Sequence, residues 1–77
     1  MYVEGRIVKV EKCTAEKKIY DEKTFSYKTE KVPAKKVYIK QLMTGYVYWG
    51  YSWDCLVSKR YPDIVRIDGN EKFHMVR

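Results

Sequence analysis

The chain has 77 residues, with 16 Lys or Arg against 10 Asp or Glu and a formal charge of +6. A sequence this short cannot divide its apolar side chains between two independent cores, so residues 1–77 are expected to form one domain. Cys13 and Cys55 are too few for a disulfide-dense scaffold and too far apart for a zinc knuckle or a redox pair. They are read as buried thiols, with a single long-range disulfide as the alternative.

Glu4, Arg6, Lys9 and Glu11 interrupt any leader-like N-terminal segment. No window approaches the ~20 apolar residues needed to cross a bilayer. The expected location is therefore cytoplasmic, or the host cytoplasm for a viral protein, with no membrane partner. Charge is uneven: residues 1–42 hold eleven Lys or Arg against six Asp or Glu, and residues 43–77 hold five against four. Such a bias attracts polyanions, although interspersed Lys and Glu also keep small proteins soluble.

In chain order, Tyr2 to Lys12 alternates around Val8 and Val10 and predicts a first strand, with Gly5 marking a bulge or bend. Lys17 to Tyr20 and Thr24 to Val32 predict a polar, solvent-facing hairpin around Asp21-Glu22-Lys23, with Phe25 and Tyr27 on one face. Pro33 cannot donate to a ladder, so it is expected to divide that hairpin from a strand over Lys35 to Leu42. Thr44 resists the positive φ of a two-residue turn. A three-residue loop of Met43, Thr44 and Gly45 is therefore expected, pairing Leu42 with Tyr46 and Ile39 with Trp49. That register gathers Val37, Ile39, Val47, Trp49 and Tyr51 inside. It leaves Lys36, Tyr38, Lys40, Leu42, Tyr46 and Tyr48 outside.

Ser52 to Tyr61 predicts two helical turns capped by Ser52 and stopped by Pro62, with a strand over Asp54 to Val57 as the competing reading. Asp68-Gly69 predicts a tight turn folding Ile64–Ile67 onto Glu71–Val76, with Arg66 opposite Glu71 and Ile64 opposite Phe73.

These elements indicate a mainly β protein: a small, partly open antiparallel β-barrel, SH3-like or OB-like, of five to six strands with one short helix. A two-layer α+β domain is the alternative. Its opening strand, VEGRIVKV, resembles the first strand of many such barrels.

For function, His74 has no cysteine near it in sequence, and adjacent Asp54 and Cys55 point in different directions, so neither a metal cluster nor a nucleophile with its base is suggested. The glycines are isolated and form no phosphate-binding loop. No enzyme, metal or small-molecule cofactor is expected. Two binding roles remain. In one, Tyr38, Tyr46 and Tyr48 stack on bases of single-stranded nucleic acid while Lys36 and Lys40 contact phosphates. In the other, the same tyrosine-rich face meets a host protein, as in accessory or inhibitor proteins of phages and mobile elements. Monomer and homodimer both suit a chain of this size.

Overall fold

The computed structural model describes residues 1–76 and is mainly β. Among the described residues six strands occur in chain order: β1 (Tyr2–Asp21), β2 (Ser26–Lys40), β3 (Val47–Tyr51), β4 (Cys55–Val57), β5 (Ile64–Asp68) and β6 (His74–Met75). They form one antiparallel sheet in the order β4-β5-β1-β2-β3-β6, so β4 and β6 are its edges and hydrogen bonding does not close it.

The sheet rolls around a small apolar centre. Val3, Val37, Ile39, Val65 and Ile67 are buried together, and Ile7, Tyr48, Cys55 and Phe73 pack against them. Glycine makes the roll possible at two points. A Cβ on Gly50 would stand 2.8 Å from Cδ1 of Ile67 and 2.9 Å from the Lys72 carbonyl oxygen. Thus β3 and β5 meet across the interior although two strands separate them in the sheet. A Cβ on Gly5 would run into the Lys40 carbonyl. The expected bend in β1 is present, and beside it the register shifts between Ile7 and Lys9, leaving Val8 as an extra, exposed residue. Such an insertion bends a strand and tightens its twist.

The largest departure from expectation is the length of the first hairpin. β1 and β2 remain paired from Arg6–Lys40 to Asp21–Ser26, whereas β5 leaves β1 at Arg6 and β3 leaves β2 at Lys36. Residues 12–35 therefore project as a two-stranded arm, and the molecule measures 47 × 22 × 20 Å. Pro33 does not divide two elements; it lies within β2, opposite Thr14. Its missing N–H is tolerated because β2 has no neighbour on its other side there, the edge position that strand prolines occupy.

At the tip, Tyr20 packs on Tyr27 with ring centroids 5.3 Å apart, and Lys23 N donates to Asp21 Oδ1 at 3.0 Å. Phe25 completes the turn with φ +52° while 82% exposed. A bulky residue there is strained and gains almost nothing from burial.

Two later expectations also change. The expected helix over Ser52 to Tyr61 is reduced to one 3-10 turn, Ser52–Asp54, with no side-chain cap. Cys55–Val57 then form β4 on the free edge of β5, setting Cys55 opposite Ile67 at the core. The apolar spacing of Leu56 and Val57 belongs to an exposed edge strand rather than a helical face. Residues 71–76 do not fold back on β5, because β1 and β4 already occupy both its sides. Gly69 does take a positive φ of 110°, but the turn closed by Lys72 N to Gly69 O carries the chain across the body. There β6 pairs with β3.

Candidate nucleic-acid interface

The connection between β2 and β3 determines which side chains share the outer face. Gln41 N donates to Tyr46 O at 2.8 Å and Gly45 N to Gln41 O at 2.8 Å, so the loop has four residues, Leu42 to Gly45. Gly45 holds the left-handed position, φ +74°. The Thr44 hydroxyl stabilises the wider loop, donating to Gln41 Oε1 at 2.9 Å and accepting from Tyr46 N at 3.3 Å. One added loop residue shifts the ladder by one: Tyr38 faces Trp49, Ile39 faces Tyr48 and Val37 faces Gly50.

The predicted set is therefore split. Lys36, Tyr38 and Lys40 stay on the outer face, opposite Tyr51, Trp49 and Val47. Tyr48 turns inward beside Ile39 and meets Phe73 edge-on at 5.7 Å. Tyr46 closes the loop opposite Gln41, outside the strand and exposed. Trp49 and Tyr51, expected inside, are on the outer face. Two-residue spacing among Trp49, Tyr51 and Trp53 is the sequence signal for this row.

The rings form a ladder. Trp49 stacks on His74 at 4.5 Å and meets Tyr51 edge-on at 5.4 Å, and Tyr51 stacks on Trp53 at 4.9 Å. Charge is placed over it: Nζ of Lys36 lies 4.6 Å from the centre of Trp49, Lys17 5.0 Å from Trp53, and Lys9 5.4 Å from Tyr38. Such contacts contribute about 0.5–1 kcal/mol each at exposed sites. Lys9 also pairs with Glu11 at 3.2 Å. The ladder ends at the arm's root, where the 3-10 turn packs on β2 and Ala15 and Ala34 are buried.

Both cysteines are free. Cys55 Sγ donates to the Tyr51 carbonyl at 3.3 Å. Burial, and secondarily the charge of Asp54, push its thiol up to about 11. It is protonated at neutral pH and a weak nucleophile. Among the described residues, no three His, Cys, Asp or Glu side chains gather as a metal site, and no helix is long and apolar enough to cross a membrane.

Together, fold and site define a small mainly β protein whose rolled sheet carries an outer ladder of rings and lysines. No protein-family model, curated protein or solved structure matches the chain.

Proposed function

We propose that the protein is a non-enzymatic, cytoplasmic nucleic-acid-binding module whose outer sheet face takes single strands. The observation that carries this reading is the placement of Lys9, Lys36 and Lys17 over Tyr38, Trp49 and Trp53, which puts phosphate-binding charge and base-stacking surface side by side. The approach of Gly50 to Ile67 supports describing the rolled sheet as a partly open barrel of the SH3-like or OB kind, a shape that offers such a face.

Binding of a fluorescent oligothymidylate of about 15 nucleotides tests the proposal. Affinity should fall steeply with added salt, and Lys36→Glu with Lys40→Glu should abolish it. Absence of any complex at low ionic strength removes this function.

A second reading, an accessory or inhibitor protein that grips a host protein, is favoured by a different region. At the end of the body away from the arm, Tyr2, Leu42, Met43, Tyr61 and Ile64 line an open groove of about 540 Å³, with Met43 98% exposed. Affinity purification from the native cell with and without nuclease separates the two. A nuclease-resistant protein partner lost on Met43→Lys supports this reading.

A further inference from the structure

The two faces of the arm differ in a way that the outer-face reading does not use. On the face continuous with the ladder, acidic residues answer lysines: Lys9 pairs with Glu11, and Lys28 with Glu30 at 3.8 Å. The opposite face continues from the core side, where Val10 lies across from Val37. From Lys12 to Tyr20 on β1 and from Tyr27 to Lys35 on β2, every side chain of that face is exposed. It carries Lys12, Lys18, Lys31 and Lys35 against Glu16 alone. None of these four lysines forms an ion pair among the described residues.

This arrangement is not explained by folding. Lys12 lies directly across from Lys35, a like-charge pairing that weakens a sheet. An unsupported two-stranded ribbon is itself marginal in water. The strained, exposed Phe25 at the tip adds a further cost that packing does not repay.

We infer that this lysine face is a docking surface for duplex DNA, with the arm lying in the major groove. A major groove about 12 Å wide admits a two-stranded β-ribbon. Each edge of the ribbon carries two lysines, Lys12 and Lys18 on β1 and Lys31 and Lys35 on β2, so each phosphate strand bordering the groove meets two cations. The step from the Lys12–Lys35 pair to the Tyr20–Tyr27 pair covers eight residues along β1. At ~3.3 Å per residue this is about 26 Å of contact.

The inference concerns a different face and a different nucleic acid from the proposed single-strand site. Fluorescence anisotropy with a B-form DNA duplex of about two helical turns tests it, alongside a single strand and an RNA duplex of the same length. Wild-type protein should bind the DNA duplex. Lys12→Glu with Lys18→Glu should weaken that complex at least ~10-fold and flatten its log–log salt slope by about 2, at ~0.9 per lost phosphate contact. Single-strand affinity should fall far less, because Lys9, Lys17 and Lys36 keep their places over the rings. A carboxylate replacing Lys12 faces Lys35 with opposite sign, so the double variant should melt near the wild-type temperature, and a melt of that same variant separates lost DNA contacts from unfolding.

Duplex affinity equal in variant and wild type would overturn the inference, as would no duplex binding at low salt. Equal affinity for the RNA duplex would overturn the groove placement, because the A-form major groove is too narrow for the ribbon. Loss of single-strand binding by Lys36→Glu with Lys40→Glu, while duplex binding persists, supports a duplex site on the arm separate from the ladder face.

Discussion

Within the body, β1, β2 and β5 gather Val3, Val37, Ile39, Val65 and Ile67 on the inner side of the roll. Farther along, β1 and β2 have no sheet opposite them and present Lys12, Lys18, Lys31 and Lys35 to solvent. Burial dictates side-chain identity in the first region, because a one-residue slip would put aliphatics into water. In the arm, cross-strand hydrogen bonds and turn chemistry hold the ribbon, and its exposed face is free to be charged. Shape and stability thus reside mainly in the body, and the arm carries surface that contributes little to folding.

Substitutions can break or sharpen this contrast. Ile39→Ala removes a side chain with no solvent exposure and should cost about 2–5 kcal/mol in urea unfolding. In the arm, Thr29→Ala should stay within about 0.5 kcal/mol. Equal costs would mean that the arm carries the fold. Gly50→Ala drives a methyl into Ile67 and the Lys72 carbonyl, and about 1–3 kcal/mol should be lost. Trp53→Ala gives up the Tyr51 stack and the Lys17 contact where arm and body join; a loss of about 1–2 kcal/mol is expected in thermal melts. Phe25→Gly should instead raise stability, by about 1 kcal/mol, because it releases a left-handed backbone at an exposed position.

A further test concerns titration. The Cys55 thiol rises from 9.0 to about 11 in the folded protein. The native state therefore keeps a proton that the unfolded chain has lost. Its contribution is complete below pH 9 and disappears as pH climbs toward 11. Chemical denaturation across that interval should show falling stability in wild type and a flatter profile in Cys55→Ala.

Much of the body was readable from residue type. Alternation marked the opening strand, Gly5 marked its bend, and Gly45 fell at the left-handed loop position. The ladder register was not, because both candidate registers bury Val37 and Ile39. Space opposite Ile67 decides between them: only a residue without a side chain fits there, so Gly50 turns inward and Trp49 and Tyr51 turn outward. That constraint comes from a strand far away in sequence. The outer part of the arm was legible as a polar, solvent-facing hairpin, but its unbroken run through Pro33 into the body was not, for a related cause. Proline excludes a strand only where a neighbour needs its N–H, and whether β2 has such a neighbour at Pro33 depends on where β3 ends. The C-terminal strand likewise went to β3 because β4 had taken the edge of β5.

Val8 has one more consequence. It is surplus to the ladder: Ile7 faces Ile39 and Lys9 faces Tyr38, so deleting it would sever no partnership between β1 and β2. What it governs is aim, since a surplus residue in one rail of a ribbon kinks the whole track. Lengthening or shortening the chain at that point would swing the projecting hairpin while leaving its cargo of lysines untouched, so reach can change independently of chemistry.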